Sequence, residues 1–444
     1  MPRRSDVLAV GALLAVGAGL FSRSLHARTN YDEGVYLASL DALRHGQELG
    51  RDVFASQPPG FYLLLRATGL FAGRSVEGLR IGMVVVALVG VAAAFLIGRR
   101  FAGLAGGAAA GALVIAAPPY AAQAPRVAAD VPSVALALTA LAIAAWWFDR
   151  GALPGPAAAG AVAAASISVK LLALPVLVLL IVLAWQRRIG TRAATAALAG
   201  AFAVALIFVG VYAGVLPELW HDAVSFHRDA RSISVGQSAG SRITDYFGAR
   251  TPTTWVAAAG VVAAVIVRRQ LSLWAWVAAT LVFLLVTVPL LDHHFVLLGA
   301  ALGTAAGASL MSTRGRAQIL ALGVVAVGAA AGWVQDYRQI NRSDEPEPIE
   351  VRRAADAVRA LTRPDELVAS DLPIVPYLAD RREPGELVDA SAIRFASGSL
   401  TPREVKRAHA RVYVAGREFA RHPASITGLS PVRRFGSIRI LVRR

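Results

Sequence analysis

Apolar runs separated by clusters of arginine constrain this chain more than any other feature. A helix needs about 17–25 mostly apolar residues to cross a bilayer, and shorter runs serve where neighbouring helices cover the backbone. The sequence offers about eleven such stretches: Val7–Phe21, Leu79–Gly98, Ala102–Ala117, Val131–Phe148, Ala157–Val169, Leu171–Trp185, Ala193–Val215, Pro252–Val267, Leu271–Val288, Phe295–Ser309 and Ala317–Trp333. With 56% hydrophobic and only 17% charged residues, the surplus of apolar side chains must face something other than water. An ordinary soluble enzyme is excluded, and the lipid bilayer is the first partner.

The charge pattern sets a topology. Starting inside with Arg3 and Arg4, every second turn falls on a basic group: Arg99/Arg100, Arg150, Arg187/Arg188/Arg192, Arg268/Arg269 and Arg314/Arg316. This obeys the positive-inside rule and predicts a multi-pass plasma-membrane protein with a cytoplasmic N-terminus and an extracytoplasmic C-terminus. The net charge of +16 is therefore read as a topology signal, with no nucleic-acid partner. The first run has a basic start but no convincing small-residue cleavage site, so it is read as an uncleaved anchor. Zero cysteines remove disulfides, thiolate metal sites and cysteine nucleophiles.

Two outer segments are long. The first, Ser22 to about Gly78, carries Tyr31-Asp32-Glu33-Gly34-Val35-Tyr36 and then Gln57-Pro58-Pro59-Gly60-Phe61-Tyr62. Between them Val35, Leu37, Leu40 and Leu43 recur near helical spacing, with Asp41 and Arg44 on a wetter face, which predicts a helix lying along the membrane surface. The second, Leu216 to about Thr251, holds His221, Asp222, His227, Arg228, Asp229, Arg231 and Arg242 and is polar enough to be partly disordered when empty. After Trp333 the composition changes. Residues 1–333 read as a transmembrane domain, 334–348 as a linker and 349–444 as a small soluble α/β domain. A helix is predicted from Ile349 to Leu361, another at Pro402–Ala410, and strands at Leu367–Ser370, Val412–Ala415 and Ile438–Val442. The fold class is mainly α, a polytopic transmembrane helix bundle with this appended module.

Chemistry is concentrated at the predicted outer ends. Asp32 and Glu33 stand between Tyr31 and Tyr36. A carboxylate there can accept a proton from an attacking hydroxyl, or can simply favour a helix N-terminus. Lys170 and Lys406 are the only lysines, and Lys170 falls at the junction of two short apolar runs. A charge so placed costs about 2–3 kcal/mol unless it meets water, a partner or a ligand such as a lipid phosphate; the alternative is snorkelling to the interface. Arg126 and Asp130, four residues apart, either pair with each other or orient Arg126 as a forked donor to phosphate or sugar. His293 and His294 follow Asp292. Adjacent histidines lack the i,i+4 spacing of two metal ligands on one helix face, so they read as a substrate contact or an interfacial cap, without a metal. Gln57-Pro58-Pro59 fixes the chain direction at the return to the membrane region, because prolines restrict themselves and the residue before them.

Taken together, the acidic pair beyond the first span, the Q-P-P-G-F-Y return, the R-x-x-x-D-x-P turn at Arg126–Pro132 and the lone lysine after a small-residue span resemble a known family over most of residues 1–333. The chain resembles a GT-C membrane glycosyltransferase of the family 39 type, the group that holds dolichyl-phosphate-mannose–protein mannosyltransferases and lipid A aminoarabinose transferases. The resemblance implies inverting sugar transfer from a polyprenyl-phosphate donor to a hydroxyl acceptor (protein, lipid or glycan) on the outer face, with no cofactor. Asp32 matches the family's catalytic acidic position and Glu33 is its neighbour in the motif. Gln57 departs from the family, whose members often carry a basic residue before Pro-Pro. His293 and His294 resemble the entry to a late span, and the C-terminal part is a variable appendage.

Combining both lines, Asp32 would take the acceptor proton while Lys170 and Arg126 hold the leaving phosphate, with Tyr36, Gln57, Asp130, His293 and His294 contacting substrate. Preorganised cations aimed at a developing charge are a large source of barrier lowering. A lipid-substrate transporter would share the spans but place polar groups near the midplane and often show two related halves. A membrane anchor for the C-terminal domain would leave the outer charges incidental.

Overall fold

The computed structural model describes residues 3–148, 152–186, 188–230, 238–248, 252–267 and 270–443. The topology arginines Arg150, Arg187, Arg268 and Arg269, and Arg231 of the second long segment, lie outside the described residues. The chain divides into two compact units. One joins Met1–Leu25, Phe71–Val211 and Gly236–Arg342; the other joins His26–Leu70, Tyr212–Val235 and Ser343–Arg444.

The first unit is helical because its apolar runs are rich in Ala, Leu and Val, and hydroxyls inside them bond back within their own helix, as Thr139 and Thr304 do to the carbonyls four residues earlier. A helix occupies each predicted run. Among the described residues, 6 helices are long and apolar enough to cross a membrane, and shorter apolar helices accompany them. The predicted break between Leu79–Gly98 and Ala102–Ala117 is a reversal inside Val76–Ile115: Ala102 and Gly103 leave helical geometry, and Gly103 sits at φ +73°, which glycine adopts without a Cβ penalty. The two arms then touch backbone to backbone, for a Cβ on Gly98 would lie 2.2 Å from the Gly106 carbonyl oxygen. At the closed end of this hairpin, Arg99 Nε donates to Asp6 Oδ1 of the first helix across 2.8 Å.

Phe295–Leu310 is buried along its whole length. It can be central because Gly303 and Gly307 meet the backbones of Leu113 and Ala110, the small-residue contact by which membrane helices approach. Thr191–Tyr212 is the opposite case. None of its residues is buried, so Phe202, Leu206 and Ile207 present the apolar surface that lipid requires.

In the second unit, strands β1 (Val368–Ser370), β2 (Val412–Ala415), β3 (Ser430–Phe435) and β4 (Ile438–Val442) form one sheet in the order β1-β2-β4-β3. The β1–β2 pair is parallel and the others are antiparallel. The predicted helix Ile349–Leu361 and strands β1, β2 and β4 are present. Strand β3 lacked the apolar alternation that marks a strand, since Val432, Arg433 and Arg434 are exposed on it.

One expectation is corrected. Helix Tyr31–Arg44 forms, but it does not lie on a surface with a wet face: every residue from Glu33 to Leu43 is buried, Asp41 included. Of the second long segment, 216–229 forms short helices, because Leu219, Ala223, Phe226 and Ala230 bury their side chains, while 231–237 and 249–251 lie outside the described residues.

Candidate functional site

The acidic pair opens a helix. Asn30 caps it, its side-chain oxygen accepting from the Glu33 amide at 2.8 Å, so both acids lie in the first turn, where the positive end of the helix dipole favours carboxylates. The two differ in access. Asp32 is exposed and Glu33 is fully buried, so Asp32 is the one open to a substrate. Tyr36 is buried with its ring edge-on to Phe61, centroids 4.7 Å apart; it packs the helix onto the start of Pro59–Ala72.

Gln57 is buried in a segment held from both sides. Asp222 accepts from the Ala55 amide at 3.0 Å, and His227 Nε2 donates to the Ser56 carbonyl at 2.9 Å. The second long segment thus fixes the turn that precedes Pro58-Pro59.

The C-terminal domain supplies residues that the sequence did not single out. The Tyr31 hydroxyl donates to Asp389 Oδ1 at 3.0 Å. Arg394 is buried, donating to the carbonyls of Glu386, Asp389 and Ser399, and its guanidinium lies 3.7 Å from the centre of the Phe54 ring. Burial pulls its pKa below the usual guanidinium range. Ser391 before Ala392–Ser397 is recognisable as a helix cap, but nothing local marks Asp389 or Arg394. Glu383 is buried, no side chain among the described residues donates to its carboxylate, and burial pushes its carboxyl well above the usual range.

A second cluster is built in the first unit. Asp130 begins the helix Asp130–Trp147, and Lys170 ends Pro154–Val169 in extended conformation. Lys170 Nζ donates to Asp130 Oδ1 at 2.7 Å. His293 and His294 come from a single turn before Phe295–Leu310, and one ligand atom from each lies within 4.8 Å of the others and of an Asp130 oxygen. Arg126 sits on the irregular segment before Asp130, so the two are not on one helix face. Asp292 points elsewhere, accepting from Arg242 at 2.8 Å.

An aspartate and two histidines so close have the composition of a metal site. The Leu291 amide donates to His294 Nδ1 at 3.2 Å, so the neutral ring carries its proton on Nε2, and the Asp130 carboxylate already meets the Lys170 ammonium.

This is the fold of the GT-C glycosyltransferases. The structure of ArnT from Cupriavidus metallidurans bound to undecaprenyl phosphate superposes with a TM-score of 0.73 at 15% identity, covering 98% of this chain and 97% of that one. The oligosaccharyltransferase of Archaeoglobus fulgidus in the apo form gives a TM-score of 0.60 at 11% identity over 95% of this chain and 71% of that one. The archaeal oligosaccharyltransferase AglB from Archaeoglobus fulgidus in complex with an inhibitory peptide and a dolichol-phosphate gives 0.57 at 11% identity, covering 95% of this chain and 70% of that one. No family model matches the sequence, and no curated protein matches it.

Proposed function

We propose that the chain is a polyprenyl-phosphate-sugar-dependent, inverting glycosyltransferase of the cell envelope, with about eleven spans, that moves a sugar to a hydroxyl acceptor on the outer face of the membrane. Asp32 takes the proton as the acceptor oxygen attacks the anomeric carbon. The bond from that carbon to the phosphate oxygen breaks, and the lipid phosphate leaves. Lys170 and Arg126 hold its charge, and His293 and His294 contact the head group. Gln57, before the Pro-Pro turn, contacts the substrate. Asp130 keeps Lys170 in place. The boundaries 1–333, 334–348 and 349–444 are retained as the proposed division.

The observation that carries this reading is the gathering of Lys170, Asp130, His293 and His294 at the ends of three helices in a GT-C fold, a donor-rich spot suited to a phosphate. ArnT, which has this fold, is described with undecaprenyl phosphate bound.

The test uses the full chain in nanodiscs, radiolabelled undecaprenyl-phosphate pentoses and hexoses, and a membrane extract as acceptor. Transfer should disappear in Asp32→Asn and persist in Glu33→Gln. Binding of undecaprenyl phosphate should persist in Asp32→Asn and be lost in Lys170→Met. Normal transfer by Asp32→Asn removes it as the base, and equal lipid binding by Lys170→Met removes the phosphate site.

A further inference from the structure

The last hundred or so residues have no task in the mechanism above, yet they hold the segment that carries the proposed base. The Arg28 amide donates to the Glu345 carbonyl at 2.6 Å, and the Thr29 amide donates to the Glu347 carboxylate at 2.9 Å. Gly34 faces Pro373 and Ile374 so closely that a Cβ would sit 3.2 Å from both Pro373 Cγ and the Ile374 nitrogen. Between these contacts lies the bond from Tyr31 to Asp389.

We infer that Asp389 is a positioning residue for Asp32: by accepting from the Tyr31 hydroxyl it fixes the first turn of helix Tyr31–Arg44 and so the aim of the neighbouring carboxylate. This rests on the reading of Asp32 as the base. The acceptor is itself rigid. The Ser391 amide donates to the same Asp389 oxygen at 3.1 Å, and Arg394 donates to the Asp389 carbonyl at 2.8 Å. The bond is charge-assisted on the carboxylate side. Burial, and the acids Asp389, Glu383 and Asp371, hold the Tyr31 phenol well above its usual range, so Tyr31 stays a donor. Arg394 also stacks on Phe54, three residues before Gln57. The loop Glu386–Arg394 therefore grips both the base helix and the Pro-Pro turn. Since Tyr31 and Asp32 are consecutive, a shift of the first moves the second, and misplacing a reacting group by about 1 Å costs on the order of 100-fold in rate.

The experiment compares Tyr31→Phe, Asp389→Ala, Asp389→Glu and the double Tyr31→Phe/Asp389→Ala in the full chain. Transfer is followed from radiolabelled undecaprenyl-phosphate sugar, and backbone amide exchange is followed over residues 30–44 and 412–415. Tyr31→Phe and Asp389→Ala should each lose about 10- to 100-fold in kcat with KM for the lipid donor unchanged. The double should be no worse than the worse single, and Asp389→Glu should recover part of the loss. Exchange should quicken over 30–44 and stay unchanged over 412–415. Wild-type kcat in Asp389→Ala, losses that multiply in the double, or a change confined to KM would overturn the inference. If Asp32→Asn proves active, the base reading fails alone, and the exchange measurement still decides whether Asp389 holds the helix: quickened exchange over 30–44 supports it and unchanged exchange refutes it.

Discussion

Lys170 and Asp130 form a buried ion pair, the ammonium 2.7 Å from the carboxylate, with side chains only 10% and 4% exposed. Taking two charges out of water costs several kcal/mol per ion, repaid only by close geometry and further hydrogen bonds. On the proposed reading, the pair keeps a positive group in place for the lipid phosphate.

The pair therefore separates folding from activity. Lys170→Met or Asp130→Asn alone strands one buried charge and should cost about 3–5 kcal/mol of stability. The double Lys170→Met/Asp130→Asn should melt closer to the parent while remaining unable to bind undecaprenyl phosphate. Thermal unfolding and lipid binding, measured on all three, check this; a double variant less stable than both singles contradicts it.

Gly34 tests how tightly the helix Tyr31–Arg44 is packed. Its neighbours are a proline ring and a backbone nitrogen, which give way less readily than the end of a flexible side chain. Gly34→Ala should cost about 1–3 kcal/mol by overpacking, although alanine is the better helix former. An unchanged melting temperature would show that the helix can shift without cost.

Glu383 predicts a pH dependence. Its carboxyl is held well above the usual range by burial. Below about pH 4.3 the folded and unfolded chains both carry the proton and no penalty arises. As pH rises, the unfolded chain releases it first, so stability falls until the folded carboxyl also titrates. Glu383→Gln should match the parent in acid and exceed it at neutral pH, as read by unfolding temperature across that range. A difference independent of pH would refute the assignment.

Topology is open to direct measurement. A periplasm-active reporter fused after the last residue should be active, and one inserted after Arg188 should be silent. The reverse pattern would invert the proposed orientation.

Much of the helical framework was legible because apolar periodicity and arginine punctuation are local signals. The reversal at Ala102 and Gly103 falls just past the break that Arg99-Arg100 marked. The site was legible as residue types and less so as partnerships. Asp130 meets Lys170, forty residues on, a partner that helical spacing does not point to. Asp389 lies 358 positions from Tyr31, and no spacing rule reaches that far. Asp41 was misread as solvated because helical periodicity reports a helix's own faces and says nothing of what covers the polar one.

The unit that contains Asp32 is assembled from three stretches, the last of which begins at Ser343. During synthesis the acid-bearing helix leaves the ribosome more than three hundred residues before Pro373, Ile374 and Asp389. Contacts so distant along the chain are slow to close. A nascent polypeptide would thus own a carboxylate without the companions that hold it, and the acid would gain its fixed setting only once the third stretch has been made and has docked.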